Sequence, residues 1–162
     1  MTRLLLVLAL TISCKTGGEY VTNPRGGGSE DEKGETNGRS LDLVSNRPEG
    51  DDWEVRIRGS SMWASHGDEE EIKQLPPVNL DHMQSEKVWR LIDELDLPHC
   101  KKGKKDEDEG FVTLVLREPG GEDQADMFTV YISRGAEDED LEKLALYLQD
   151  LIKRYHKVTA EF

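Results

Sequence analysis

Two segments rich in β-branched and aromatic residues constrain the fold most strongly. Residues 111–117 and 127–133 contain the side chains that favour half-buried strands. Between them, Pro119-Gly120-Gly121 begins a polar run that continues to Asp126, a composition typical of a turn. The pattern predicts an antiparallel hairpin with a wide connection.

Two amphipathic segments flank this hairpin. In the first, Asp81 and Gln84 have the spacing of a capping box, and apolar residues then recur at helical intervals from Val88 to Leu95. In the second, residues 138–157 carry a leucine stripe, with acidic residues at its start and basic residues at its end. That charge order matches the helix dipole. Both segments are predicted helices.

An earlier segment shows the period of a strand instead. Trp53, Val55 and Ile57 alternate with charged residues, which indicates a strand with one wet face. Residues 62–64 and 72–75 are the predicted returning strand. Residues 53–162 are therefore expected to form one α+β domain, β-β-α-β-β-α, in which an antiparallel sheet of two hairpins carries two helices on one face.

The preceding residues have a different composition. Residues 14–52 are rich in glycine and acidic side chains and contain almost no apolar clusters. Such a segment has little surface to bury against the entropy of ordering, so it is predicted to be a disordered, flexible linker. Leu41, Leu43 and Val44 are the exception, and they are interpreted as a sticky patch in a loop or as residues that pair weakly with a partner or with an edge strand.

The first residues resemble a secretion signal. Arg3 precedes a short apolar run and the small residues that end at Cys14, so residues 1–13 are predicted to be a signal peptide. Ser13-Cys14 resembles the lipobox of bacterial lipoproteins, in which the cysteine is lipidated and becomes the mature N-terminus. The resemblance implies membrane attachment through a lipid on Cys14, and Lys15 favours outer-membrane delivery. Thr11 and Ser13 also suit an ordinary signal peptidase, which leaves a secreted product as the alternative.

The net charge of the chain argues against some classes of binding partner. The chain has 34 acidic and 21 basic residues, for a net charge of −13, and only 35% of its residues are hydrophobic. A strongly acidic chain is poorly suited to neutralising nucleic-acid phosphates or docking on anionic lipid headgroups. We therefore expect a protein partner and no nucleic acid.

No arrangement of residues predicts catalysis or a cofactor. His66 lies close to Asp68 in a glycine-containing loop, which makes these two the weak candidates for a metal site, but no further ligand has metal-site spacing. His99 and Cys100 are adjacent and followed by lysines, which lower thiol pKa values. If Cys14 is lipidated, Cys100 is left as a free or partly buried thiol; otherwise a disulfide between the two is conceivable. We predict no catalytic residue, no metal and no cofactor.

The order of elements resembles the emfourin family, small proteins that inhibit thermolysin-like zinc metalloproteases. The resemblance spans residues 53–155 and rests on Leu75-Pro76-Pro77 before the helix, on the strands 111–116 and 128–132, and on the closing helix. It implies that the domain blocks a secreted zinc protease, through residues that the resemblance does not identify.

Together these patterns predict a non-catalytic, lipid-anchored envelope protein. Its α+β domain is expected to bind another protein, with protease inhibition as one form of that function. Two alternatives stay open: an acidic immunity-type protein that neutralises a basic toxin, and a structural envelope lipoprotein with no discrete ligand.

Overall fold

Seven antiparallel strands and two helices form the part of the chain that the structure, a computed structural model, describes: residues 38–68, 70–119 and 125–162. The strands are β1 (Ser40–Asn46), β2 (Asp52–Arg58), β3 (Ser61–Gly67), β4 (Ile72–Gln74), β5 (Val78–Asn79), β6 (Phe111–Pro119) and β7 (Ala125–Ser133). The helices are α1 (His82–Glu94), followed by a 3₁₀ turn (Leu97–His99), and α2 (Glu139–His156). The predicted α+β class is confirmed.

All seven strands belong to one sheet. Its order is β4-β3-β2-β1-β6-β7, and β5 pairs with the same strand as β4, which is β3. The first strand, β1, lies in the middle: Leu43 is opposite Val55 of β2 on one side and Leu114 of β6 on the other. The sheet is therefore joined through β1, which connects the hairpin β2–β3 to the hairpin β6–β7.

The prediction of a linker through residue 52 is wrong for residues 40–46. Leu41 and Leu43 are fully buried, and Ser45 continues their side of the strand. The alternation is short, and its partners lie far along the chain, so local composition hid a strand that tertiary pairing stabilises. The folded domain thus begins before Trp53. The predicted order of elements lacks β1 and β5, and it also lacks the division of the returning strand into β3 and β4. Residues 1–37, which contain the predicted signal peptide and Cys14, lie outside the described residues.

One hydrophobic core holds the sheet and both helices together. Alternate residues of the strands point into it, among them Ile57, Met62 and Val130. The same core contains Val88, Trp89 and Ile92 of α1, and Leu144, Leu148, Leu151 and Ile152 of α2. Each fully buried aliphatic side chain of this kind contributes about 1.5–3 kcal/mol relative to exposure. In the described part of the chain, no helix is long and apolar enough to cross a membrane.

Polar contacts fix where the helices begin and how α1 meets the sheet. The predicted capping box is confirmed, because Asp81 accepts from the backbone N–H of Gln84 and the Gln84 side chain accepts from that of Asp81. The carbonyl oxygen of Gly59, in the turn between β2 and β3, accepts hydrogen bonds from Trp89 Nε1 at 2.9 Å and Ser85 Oγ at 3.3 Å. These bonds attach α1 to that turn.

Candidate functional site

The second face of the sheet carries the side chains that alternate with the core residues. One row of this face crosses four strands. It contains Arg56 of β2, Asp42 of β1, Val115 of β6 and Thr129 of β7. We call this surface the outer sheet face and define it by the following residues: Asp42, Val44, Asp52, Glu54, Arg56, Arg58, Trp63, Phe111, Thr113, Val115, Arg117, Met127, Thr129 and Tyr131. None of these residues belongs to the core that contains the buried residues of the two helices.

Asp42 organises two arginines at the centre of the outer sheet face. Its Oδ1 accepts from Arg56 Nε at 2.8 Å, and its Oδ2 accepts from Arg117 Nη1 at 2.5 Å. The hydrogen bond and the charge of Asp42 raise the pKa of Arg56. The Asp42 side chain is only 13% exposed, whereas those of Arg56 and Arg117 are 54% and 41% exposed. Asp42 therefore positions two guanidinium groups that remain accessible to a partner.

A third arginine lies in the next row of the same face. Arg58 is exposed, and it pairs across the sheet with Ser40, which is opposite Arg117 on β6. Within the described residues Arg58 makes no side-chain hydrogen bond or ion pair. Because an arginine fork can donate several hydrogen bonds to a carboxylate, this exposed group is well suited to an anionic partner.

The lysine-rich loop after the 3₁₀ turn adds cations over the aromatic part of the face. The Lys102 carbonyl accepts from the backbone N–H of Tyr131 at 2.8 Å, which attaches the loop to the edge of β7. Lys105 Nζ lies 5.6 Å from the centroid of the Tyr131 ring and 5.5 Å from that of Phe111, and Lys102 Nζ lies 5.8 Å from the Tyr131 ring. These distances are within the range of cation–π attraction.

Gly103 allows this attachment. Its φ is +68°, and a Cβ there would lie 2.0 Å from the Tyr131 carbonyl oxygen, so only glycine fits without movement of the loop. Counting this loop, five basic side chains lie on or beside the outer sheet face, together with the four carboxylates of Asp42, Asp52, Glu54 and Asp106, the last of which accepts from Ser133 Oγ at 2.8 Å. Although the chain has a net charge of −13, cations slightly outnumber carboxylates on this surface.

The weak metal candidates have separate partners. His66 Nδ1 is 2.7 Å from Asp51 Oδ2, and its ring stacks on Trp53 with centroids 4.5 Å apart. Asp68 Oδ1 instead accepts hydrogen bonds from the backbone N–H groups of Glu70 and Glu71, which lowers the pKa of Asp68. No group of three or more His, Cys, Asp and Glu side chains within residues 38–68, 70–119 and 125–162 is arranged to hold a metal ion.

His99 and Cys100 are not brought together as a reactive pair. Cys100 is half-buried, and its Sγ donates to the Leu95 carbonyl at 3.3 Å. His99 Nδ1 lies 2.6 Å from Asp96 Oδ1. Cys100 therefore contacts the end of α1, whereas His99 contacts the residue that precedes the 3₁₀ turn.

The outer sheet face was not among the sites predicted from the sequence. Its signal was the alternation of Arg56 and Arg58 with core residues in β2, which was interpreted as ordinary solvent exposure. The contribution of Asp42 depended on β1, a strand that was not predicted. Comparison with protein-family models gives no match, and comparison with curated protein sequences gives none either.

Proposed function

We propose that this protein is a non-catalytic binding protein of the cell envelope, attached to the membrane by a lipid on Cys14, whose domain binds another protein through the outer sheet face. The lipid anchor rests on the sequence signal alone. The observation that supports the binding surface is the pair of arginines, Arg56 and Arg117, that Asp42 binds, with the exposed Arg58 in the next row. The proposal takes both helices to lie on the opposite side of the sheet, in keeping with their shared core.

The expected partner presents carboxylates. Two guanidinium groups positioned in advance by Asp42 lose little side-chain freedom on binding, and charge-assisted hydrogen bonds are stronger than neutral ones. Trp63, 39% exposed, and Met127, 62% exposed, provide apolar contact on the same face. Arginine and large aromatic residues are the types enriched in protein interfaces. The exposed arginines of this surface favour an acidic partner over the basic toxin of the immunity-type alternative.

The proposal is tested by site-specific photo-crosslinking in intact cells of the source. The crosslinker replaces Thr129 on the outer sheet face or, as a control position, Glu86 on the exposed side of α1. We expect a discrete crosslinked protein from position 129 and none from position 86. Arg58→Glu should abolish that product, whereas Arg90→Glu, on the exposed side of α1, should leave it unchanged. Equal products from both positions would contradict the proposed surface.

Two further measurements define the kind of partner. The resemblance to emfourins makes a thermolysin-like protease a direct probe: inhibition by the wild-type protein and its loss in Arg58→Glu would make protease inhibition the function of this face. Cations over aromatic rings also suit single-stranded nucleic acid, so a labelled oligonucleotide is the second probe. Tight oligonucleotide binding at physiological salt would overturn the choice of a protein partner.

A further inference from the structure

A groove of about 540 Å³ lies beside α2, and its lining contains none of the residues that define the outer sheet face. Leu43 and Val112 contribute to its floor, and Leu141, Leu146 and Phe162 line its walls. Leu146 is 57% exposed, so its apolar side chain is available to a ligand. The volume is within the range of about 300–1,000 Å³ that is usual for ligand sites.

One cation in this groove has no carboxylate partner among the described residues. Arg134 lines the groove, and its Nη1 donates to Ser45 Oγ at 2.6 Å. Ser45 is fully buried, and its hydroxyl is neutral. Glu161 is close enough to affect Arg134 but forms its ion pair with Arg47, at 2.6 Å. Partial burial and the charge of Arg47 both lower the pKa of Arg134.

A partly buried guanidinium normally gains a carboxylate or equivalent acceptor, because removing a charge from water is costly without one. The remaining Arg134 donors therefore suit the carboxylate of a ligand whose apolar part occupies the groove. Since arginine presents a planar fork, a carboxylate is matched in shape as well as in charge.

Acidic residues on the rim of the groove further restrict the charge of the ligand that it can bind. Glu137, Glu139 and Glu142 lie on the groove around the start of α2, and none of them forms an ion pair within the described part of the chain. Their charges disfavour a ligand that is only negative. They favour a ligand with a carboxylate at one end and a basic group some distance from it.

We propose that the groove binds the C-terminal segment of a peptide chain, with its terminal carboxylate on Arg134, one or two apolar side chains on the floor, and a basic residue upstream beside Glu137 and Glu142. The charge pattern of the rim supports a peptide over a fatty acid. This site is separate from the outer sheet face. Failure of the peptide proposal would leave the proposed function unaffected, and the reverse is also true.

The test measures fluorescence polarisation of an amino-terminally labelled peptide, Lys-Ala-Leu-Leu, with the full chain. We expect the free acid to bind at least about tenfold more tightly than the C-terminal amide, as loss of a charge-assisted contact implies. Arg134→Gln should reduce binding of the acid to the level of the amide. Arg154→Gln, an exposed position on α2 paired with Asp150, is the matched control and should change nothing. Equal binding of acid and amide by the wild-type protein would overturn the proposal.

Two further measurements distinguish a peptide from a fatty acid and test the role of the arginine fork. Dodecanoate has the carboxylate and an apolar body but no cation, so it should displace the peptide at least about tenfold less effectively than unlabelled peptide does; displacement as effective as that would reject the peptide in favour of a fatty acid. Arg134→Lys retains the charge without the planar fork and serves if Arg134→Gln fails to fold. It should weaken binding of the acid several-fold, and unchanged binding would remove the role of the arginine fork.

Discussion

The hydroxyl of Tyr155 on α2 donates to Oε1 of Gln84 at 2.7 Å, and the same oxygen accepts the backbone N–H of Asp81 at 3.0 Å. One buried amide oxygen thus takes part in the capping box of α1 and in the contact between the two helices. The start of α1 and the end of α2 are therefore coupled through a single side chain.

Removing the Gln84 amide should lower the free energy of unfolding more than removing the Tyr155 hydroxyl. We expect Gln84→Ala to lower the free energy of unfolding by about 2 kcal/mol, because a capping bond is lost and the Tyr155 hydroxyl loses its acceptor. Tyr155→Phe should cost about 1 kcal/mol, the usual value of one hydrogen bond. Urea denaturation measures both. A cost for Tyr155→Phe as large as that for Gln84→Ala would contradict the shared role of the oxygen.

The lysine loop should depend on the glycine at its centre. Gly103→Ala requires a positive φ in alanine and brings a Cβ to within 2.0 Å of the Tyr131 carbonyl, so we expect a loss of about 1–3 kcal/mol. Hydrogen exchange should accelerate at the Tyr131 amide, which donates to the loop. Gly135→Ala is the control, because its nearest neighbour would be 3.7 Å away. Unchanged exchange at Tyr131 in Gly103→Ala would show that the loop attachment does not depend on this glycine.

Stability should fall as the pH is lowered through the titration range of histidine. Burial lowers the pKa of His156, and its Nε2 is buried without a hydrogen-bond partner among the described residues. Between this lowered pKa and the ordinary value of about 6.5, the unfolded chain binds more protons than the folded one, so protonation favours unfolding. Thermal melts at pH 7.5 and pH 5.5 should therefore differ more for the wild-type protein than for His156→Gln. An identical difference in both proteins would exclude His156 as a contributor.

The predicted lipid anchor has a direct chemical test. Intact mass of the purified protein should show a diacyl-modified chain that starts at Cys14, and the protein should fractionate with membranes. Cys14→Ser should lose both properties, since the serine oxygen does not receive the lipid. Unchanged membrane partition in Cys14→Ser would reject the anchor, and a soluble, unmodified wild-type protein would favour the secreted alternative.

Local pattern was sufficient for the elements whose partners are nearby in sequence. The hairpin β6–β7 and the helices α1 and α2 all have signals within one segment: strand-forming side chains, a capping box and a leucine stripe. The strand β1 has only Leu41, Leu43 and the small Ser45 on its inner side, and its pairing with Leu114 closes a loop of about seventy residues. Such a strand forms because it pairs with neighbouring strands, and its own composition does not indicate which strands those are.

The observed site residues were likewise not predicted, because their contacts join strands that are distant in sequence. His66 and Asp68 are close in sequence, but the hairpin places Asp52 opposite Gly67 and so brings Asp51 to His66 from the other strand. The pairing of Asp42 with Arg117 spans the whole region between β1 and β6. Cross-strand register decides such contacts, and a pattern read along one segment does not contain it.

The central position of β1 also determines how the domain responds to mechanical load. A force applied to the chain before Gly38 reaches the fold through β1, which is bonded to β2 on one side and to β6 on the other. Tension along this strand is shared by two ladders at once, whereas an edge strand would peel from a single neighbour, one bond after another. A pull on the amino-terminal side of the domain would therefore have to break hydrogen bonds to both neighbouring strands together before β1 could leave the sheet.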